Sequence, residues 1–209
     1  MIDFRWLSVG PLGTNCYIIW DRETRKAAIV DPGGDEDVIA NEASSLDLAV
    51  EWILITHGHP DHCFCAGALA SGYDARIGMH PADIERMRAE GLEIASMFYD
   101  VSTYVEFTPT DLLSDGQVIT IGESEVRVLH TPGHSQGGVC FVTDAGVFCG
   151  DTIFAGSIGR TDFPGGSFEQ IIDSIKTRIL TLEDSTRLYP GHGPATTVGE
   201  ERKSNPFVR

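Results

Sequence analysis

The stretch Thr56-His57-Gly58-His59-Pro60-Asp61-His62 places three imidazoles and a carboxylate within six consecutive positions, directly after the apolar segment Trp52 to Ile55. Histidine and carboxylate together are the ligands that hold zinc, iron or manganese in catalytic sites. Gly58 and Pro60 favour a turn that would make the side chains converge. A polar surface loop explains a single histidine, but crowded imidazoles are favourable when a cation lies between them. The segment therefore predicts a metal site.

Three further candidate ligands each follow a predicted strand. His134 comes after strand 125–129, Asp151 after strand 146–149, and His192 just beyond 187–189. Ligands at the carboxyl ends of neighbouring strands meet at one edge of the fold. The predicted ligand set is His57, His59, Asp61, His62, His134, Asp151 and His192.

The strands fall into two groups, each accompanied by helices. Segments rich in β-branched and aromatic residues predict the strands, and apolar residues at helical spacing predict the helices. The predicted strands are 15–20, 27–30, 52–55, 75–79, 118–121, 125–129, 138–143, 146–149 and 187–189, and the helices are 35–46, 62–72, 81–89 and 167–179. Residues 91–115 lack clear periodicity and are expected to be rich in loops. This order predicts mixed sheets covered by helices in one α/β domain spanning residues 1–209.

Capping residues mark the ends of two helices. Asp35 is predicted to cap the first helix, after a turn at residues 31–34. Ser167 and Gln170 match a capping box at the start of the last long helix.

Other histidines and cysteines fit the metal site less well. His80 precedes a helix, where a surface or capping role is expected, and His130 at a strand end is expected to support the ligands indirectly. The face of a helix would space Cys63 and Cys65 poorly as ligands, so small buried apolar residues are the better interpretation.

The formal net charge of −16 repels phosphate backbones and anionic membrane surfaces, so neither nucleic acid nor membrane is an expected partner. Five cysteines form an odd set in a chain large enough to need no disulfide framework, which favours a reducing compartment. The sequence has no run of about 18 apolar residues and no basic segment followed by an apolar stretch at the start. We expect a cytoplasmic protein, and the oligomeric state stays open.

The pattern of the seven candidate ligands resembles that of the metallo-β-lactamase superfamily. The signature of this superfamily is His-x-His-x-Asp-His followed by a distant His, a bridging Asp and a final His. The resemblance runs from about Pro11 to the end of the chain and implies a four-layer αββα sandwich of two mixed sheets flanked by helices. It also implies two divalent metal ions, zinc first, with iron or manganese as alternatives. In that arrangement His57, His59 and His134 hold one ion, Asp61, His62 and His192 hold the other, and Asp151 bridges them with a hydroxide that acts as the nucleophile. Catalysis then depends on His57, Asp61 and Asp151 through that hydroxide.

Within the superfamily, residues 150–157 and 190–194 are similar to glyoxalase II and its short bacterial relatives, and residues 199–206 extend the similarity. The implied reaction is hydrolysis of a thioester such as S-lactoylglutathione. The segment Gly159-Arg160-Thr161-Asp162-Phe163 is also similar to persulfide dioxygenases, which bind one iron through the equivalents of His57, His134 and Asp151. The alternative function is therefore a mononuclear-iron dioxygenase acting on glutathione persulfide.

Full-length glyoxalase II carries an additional C-terminal helical domain that helps to bind glutathione, and residues 1–209 leave little room for it. A thiol that carries carboxylates would need local cations in this acidic protein. The candidates for substrate binding are Arg160, Arg202 and Lys203.

Overall fold

Two six-stranded β-sheets face each other across a shared apolar interior. The computed structural model describes the backbone of residues 1–209 and the side chains of all residues except 86, 89 and 90. The first sheet, in spatial order, consists of β1 (Ile2–Val9), β2 (Thr14–Asp21), β3 (Lys26–Val30), β4 (Ala49–Leu54), β5 (Arg76–Met79) and β6 (Asp111–Leu112). The second consists of β14 (Thr196–Thr197), β13 (Arg187–Pro190), β10 (Gly146–Gly150), β9 (Val139–Thr143), β8 (Ser124–His130) and β7 (Val118–Ile121). A separate hairpin is formed by β11 (Ile153–Phe154) and β12 (Ser157–Ile158).

Both sheets are mixed. Strands β3 to β6 run parallel to one another, whereas β1, β2 and β3 are joined by antiparallel pairing. In the second sheet β10 and β13 are parallel, and β7 to β10 form consecutive antiparallel pairs. The short spacings between the predicted strands of residues 118–149 are typical of hairpins, and the antiparallel pairs confirm this interpretation.

Helices cover the outer face of each sheet. The helices are α1 (Glu36–Ser45), α2 (Pro60–Cys63), α3 (Ala66–Tyr73), α4 (Ile84–Ala95), α5 (Phe168–Ser174) and α6 (Val198–Ser204). Short 3-10 helices cover Pro81–Asp83 and Val101–Thr103, and α5 continues as a π-helical turn over Ile175–Ile179. Side chains of α1, α3 and α4 pack on the first sheet, and those of α5, the π turn and α6 pack on the second. This is the four-layer αββα arrangement that the resemblance implies.

Alternation along the strands produces the layers. Ile18 packs with the helices outside the first sheet, and its neighbour Ile19 packs between the sheets against residues such as Phe141 and Phe148. Successive side chains of a strand point to opposite faces, so a strand buried on both sides carries apolar residues on both faces. All of β2 is buried, and its central residues 16–20 are apolar on both faces.

Three local predictions were wrong in detail. The helix predicted over 62–72 is divided into α2 and α3, because Cys65 leaves helical geometry and its backbone N–H donates to the Pro32 carbonyl instead. Asp35 lies at the start of α1 but does not cap it, since its carboxylate accepts a hydrogen bond from the Gly10 backbone N–H at 2.8 Å. Residues 91–115 are less irregular than expected, because α4 extends to Ala95 and the segment also holds a 3-10 turn and β6.

The capping box at the last long helix is only half formed. Ser167 accepts from the Gln170 backbone N–H at 3.3 Å, as predicted. The Gln170 side chain, however, accepts from Gln136, and the Ser167 backbone N–H donates to Gly133. The reciprocal contact is therefore replaced by tertiary ones. Among the helices of the described residues, none has the length and apolar character that crossing a bilayer would require.

Candidate metal centre

The candidate ligands lie where strands of both sheets end. His57 follows β4, His134 follows β8, Asp151 follows β10 and His192 follows β13. The Asn15 backbone N–H donates to Gly191 at 2.7 Å, and Val139 donates to Thr56 at 2.9 Å, so backbone hydrogen bonds join the two sheets at this edge. The expected convergence of strand ends is present in the fold.

Three imidazoles form the first group of ligands. The Nε2 atom of His57 lies 3.0 Å from Nδ1 of His59, and Nε2 of His134 lies 3.2 Å from the former and 2.9 Å from the latter. Three nitrogens that face one another at these distances can supply three of the four ligands of a tetrahedral shell or three of the six of an octahedral one. His57 and His134 are buried, and His59 is half-buried.

The second group combines a carboxylate with two imidazoles, and Asp151 lies between the groups. The Oδ2 atom of Asp61 is 3.2 Å from Nε2 of His192 and 3.5 Å from Nε2 of His62. Asp151 places Oδ1 3.4 Å from Nε2 of His62, and Oδ2 3.6 Å from Nε2 of His134. One carboxylate thus faces ligands of both groups, the position required of a bridging ligand.

Two buried polar atoms identify what the centre is built to hold. The Nε2 atom of His62 and the Oδ1 atom of Asp151 are buried and have no hydrogen-bond partner. Leaving such atoms unsatisfied costs about 1–3 kcal/mol each, and more for a charged group. A divalent cation between them would satisfy both atoms at once, so the residues fit a metal ion.

The two groups differ in their electrostatic surroundings. Burial and the neighbouring imidazoles of His62 and His134 hold the pKa of His57 well below its usual range, so His57 stays in the neutral form that binds metals. Burial also opposes protonation of His62, but the carboxylates of Asp151, Asp61 and Asp31 outweigh it and raise the pKa of His62 to about 10. The side of the centre that contains His62 is therefore strongly attractive to a cation.

Asp31 orients His62, a role that the sequence analysis missed. Its Oδ2 accepts from Nδ1 of His62 at 2.9 Å and from the Thr56 hydroxyl at 2.7 Å, and its Oδ1 accepts from the Thr56 backbone N–H at 2.8 Å. A carboxylate on the far nitrogen of a ligating histidine fixes the ring and increases its basicity. Asp31 adopts a positive φ of 52°, unusual outside glycine, at the end of β3. From the sequence, Asp31 was predicted only to belong to a turn.

Comparison with known proteins identifies the family. The sequence profile of the metallo-β-lactamase superfamily matches residues 9–192. The chain belongs to this superfamily. A relative named hydroxyacylglutathione hydrolase GloC, from Haemophilus influenzae, is 36% identical, and the match covers 93% of this chain and 92% of that protein.

Three solved structures of the superfamily are similar to this fold. BLEG-1, described as a B3 metallo-β-lactamase, superimposes with a TM-score of 0.89 at 33% identity over 99% of both chains. TTHA1623, solved in a di-iron-bound form, gives a TM-score of 0.85 at 33% identity over 97% of this chain and 99% of its own. ETHE1 from Myxococcus xanthus gives 0.82 at 29% identity over 99% and 84%. The chain thus has the metallo-β-lactamase fold with a cluster of histidines and aspartates suited to divalent metal.

Glycines of this superfamily member permit close packing of the backbone on the ligands. A Cβ atom at Gly191 would lie 2.3 Å from Oδ1 of Asp151 and 2.6 Å from Cε1 of His62. A Cβ atom at Gly159 would lie 1.8 Å from the Asp151 carbonyl oxygen. Real Cβ contacts are not this short, so both positions require glycine for steric reasons rather than for their backbone angles.

Arg160 lies at the rim of the metal centre. Its backbone carbonyl accepts from Nδ1 of His134 at 2.8 Å, and its guanidinium pairs with both carboxylate oxygens of Asp162 at 2.8 Å. The guanidinium also lies over the ring of Phe163, 3.6 Å from the centroid, and Phe163 packs edge-on against His59. The side chain predicted to bind substrate is thus connected to a ligand through one aromatic ring.

Arg202 and Lys203 are not brought to the centre in the same way. The guanidinium of Arg202 contacts Asp184 and the carbonyls of Leu180 and Leu182, in the loop that precedes β13. His192 follows the opposite end of that strand. Lys203 is exposed on the same helix, α6.

The remaining histidines and cysteines lie outside the ligand groups. His80 caps the 3-10 turn that follows it, accepting from the Ala82 backbone N–H at 3.3 Å, as predicted. His130 stacks on His80 at 4.2 Å and interacts with the Gln136 carbonyl, so its described contacts do not include a ligand. Cys63 and Cys65 are buried, in agreement with the apolar role expected for them.

Proposed function

We propose that this protein is a metal-dependent hydrolase of a thioester, S-lactoylglutathione or a related hydroxyacyl thioester. The observation that carries the proposal is the bridging position of Asp151 between two complete ligand groups. The similarity to GloC over nearly the whole of both chains supports the thioester class. A small-molecule substrate also agrees with the charge of −16, which disfavours nucleic acid.

In the proposed centre, His57, His59 and His134 would hold one divalent ion, and Asp61, His62 and His192 would hold the second. Asp151 would be shared by the two groups. Such a pair of ions, when bound, makes water nucleophilic at neutral pH and polarises the carbonyl oxygen of a substrate. We propose zinc, with iron or manganese as the alternatives that the same donor atoms accept.

Three of the histidines would position the reacting groups and would not accept a proton during the reaction. The far ring nitrogens of His57, His62 and His134 already interact with the Thr56 hydroxyl, the Asp31 carboxylate and the Arg160 carbonyl respectively. A ring whose two nitrogens are both committed has no site left for a proton. These residues therefore hold geometry and charge, and Asp31 and the Arg160 carbonyl keep the rings from rotating.

The rim would orient the thiol part of the substrate. Arg160 offers a planar pair of donors that matches a carboxylate. Phe163 beside His59 and Phe154 beside His192 present aromatic surface on either side of the ligands. A thioester with an anionic thiol moiety would place its carbonyl between these rings while its carboxylate reaches Arg160.

A mononuclear-iron persulfide dioxygenase is the second candidate. It is favoured by the segment 159–163, where the similarity to that class lies, and the fold is similar to the ETHE1 structure. Its three ligands would be His57, His134 and Asp151, which also lie close together here: Nε2 of His134 is 3.2 Å from that of His57 and 3.6 Å from Asp151. In that reaction Asp61 and His62 would bind no metal.

Metal analysis and product detection separate the two candidates. We expect purified protein to contain close to two metal ions per chain and to release free thiol from S-lactoylglutathione. Asp151→Ala should lose both metal and activity, because a bridging carboxylate offsets the charge of both ions and no described neighbour replaces it. Asp162→Ala, at the rim, should retain the metal. One tightly bound iron in a fully active sample, with oxygen consumption on glutathione persulfide, would identify the dioxygenase instead.

A further inference from the structure

Asp83 is a buried carboxylate outside the ligand groups, and only 3% of its surface is exposed. It ends the 3-10 turn Pro81–Asp83, which follows β5. Burying a carboxylate is costly unless hydrogen bonds compensate. The donors that compensate here come from two other segments of the chain.

Those two segments carry all three imidazoles of the first ligand group. The Oδ2 atom of Asp83 accepts from the Gly58 backbone N–H at 3.0 Å and from the Ser135 hydroxyl at 2.7 Å, and its Oδ1 accepts from the Gly137 backbone N–H at 2.6 Å. Gly58 lies between His57 and His59, and Ser135 is adjacent to His134. One side chain therefore connects the loop after β4 to the loop after β8.

Close packing makes this connection rigid. A Cβ atom at Gly137 would lie 2.7 Å from Cγ of Asp83, and one at Gly58 would lie 3.1 Å from its Cβ. Both loops thus rest directly on Asp83, with no space for it to adopt another rotamer without moving them. In the second ligand group His62 has a different support, because its ring contacts Asp31 directly, whereas Asp31 reaches His57 only through the Thr56 hydroxyl.

We propose that Asp83 is a positioning residue that sets the spacing of His57, His59 and His134 and so determines the metal affinity of that group selectively. The inference rests on the ligand groups of the proposed function but not on the thioester substrate. Outer contacts that orient ligands are worth about 10- to 100-fold in metal affinity. Because Gly58 and Ser135, which Asp83 contacts, are directly adjacent to His57, His59 and His134, the effect on Asp61, His62 and His192 should be much smaller.

The test measures cobalt(II) binding to the full-length chain after metal removal, by competition with a chelator and by the visible absorption of the bound ion. Asp83→Asn is combined with His192→Ala, which weakens the second group, and separately with His134→Ala, which weakens the first. The amide keeps the shape of the carboxylate but turns one acceptor into a donor, which then faces another donor. In the His192→Ala background we expect affinity to fall about tenfold or more, and in the His134→Ala background to change by less than about threefold.

Asp21→Asn is the matched control, because Asp21 is also buried and accepts from Ser124 at 2.6 Å and Thr24 at 2.9 Å. Asp21→Asn should leave the cobalt affinity unchanged even if it lowers the urea concentration at the midpoint of unfolding. If Asp83→Asn does not fold, Ser135→Ala decides, since it removes one contact and should weaken the first group about threefold or more.

Equal loss in both backgrounds, no loss in either, or the same loss in Asp21→Asn would overturn the positioning role while leaving the ligand groups intact. Failure of the unmutated chain to bind two cobalt ions would overturn the ligand groups, and this inference with them. Thiol release is not measured, so a wrong substrate assignment does not affect the result.

Discussion

Arg160 and Asp162 should shift the KM for S-lactoylglutathione in opposite directions. Arg160 is committed to Asp162 in the absence of substrate, but the side chains are 54% and 68% exposed. Solvent screening makes an exposed ion pair weak, so a substrate carboxylate can displace Asp162 at little cost. Removing the cation therefore removes substrate binding, and removing Asp162 frees the cation.

The magnitudes follow from the same exposure. Arg160→Ala should raise KM about fivefold with kcat nearly unchanged, because the contact is equal in ground and transition states. Asp162→Asn should lower KM about twofold to fivefold by releasing the guanidinium. Steady-state thiol release gives both constants, and an uncharged thioester should respond to neither substitution.

Arg76→Ala is the matched control. Arg76 also pairs with an aspartate through two nitrogens, with Nε 2.9 Å from Asp111, and also lies over an aromatic ring, Trp52, at 4.0 Å. Arg76 is the first residue of β5, whereas the candidate ligands follow the carboxyl ends of their strands. A parallel response of Arg160→Ala and Asp162→Asn, or equal effects on charged and uncharged thioesters, would refute recognition by Arg160. Metal content should be measured alongside KM and should not change in these variants. This control is needed because Phe163 contacts both Arg160 and the candidate ligand His59.

Two further substitutions test the packing around the centre and between the sheets. Gly191→Ala places a methyl group 2.3 Å from Oδ1 of Asp151, so metal content and activity should fall at least about tenfold while the far-UV spectrum stays that of the folded protein. Retained metal would contradict the described packing of Gly191 against the Asp151 carboxylate. Phe141→Ala removes a fully buried ring between the sheets and should lower the free energy of unfolding by about 3–5 kcal/mol in denaturant titration. A loss below about 1 kcal/mol would mean that the interior repacks around the cavity.

Mixed sheets covered by helices and the candidate ligands could be predicted from local sequence, whereas the four-layer order was implied only by the family resemblance. A strand buried on both faces is rich in apolar residues, and a strand covered on one side alternates, so β2 and the strands of the second sheet were visible in the pattern. Strand β1 was missed because exposed and buried residues follow each other irregularly along it. Imidazoles crowded into six neighbouring positions are favourable when a cation lies between them. Residues His57 to His62 therefore indicated a metal site without any tertiary information.

Predictions from local sequence were wrong where a hydrogen bond to a distant residue replaced one to a neighbour along the chain. Asp35 has the residue type of a helix cap, but Gly10 approaches it from the β1–β2 turn and takes its carboxylate. A continuous helix over 62–72 satisfied the periodicity, but the Pro32 carbonyl accepts the Cys65 N–H and interrupts it. In both cases a tertiary hydrogen bond outweighs a local preference worth about 1 kcal/mol.

By itself the sequence determined which atoms are available to hold metal, because donor chemistry belongs to residue types. Only the tertiary structure decided which side chains support those donors. Asp31 is 31 positions from His62, and Asp83 is 52 positions from Ser135, so no periodicity or spacing rule relates them. The same holds for the contacts of the cations, because only chain folding placed Arg160 beside Phe163 and Arg202 on Asp184. Contacts of this kind arise when strand ends from two sheets are packed together, and their energies depend on distances that local sequence does not encode.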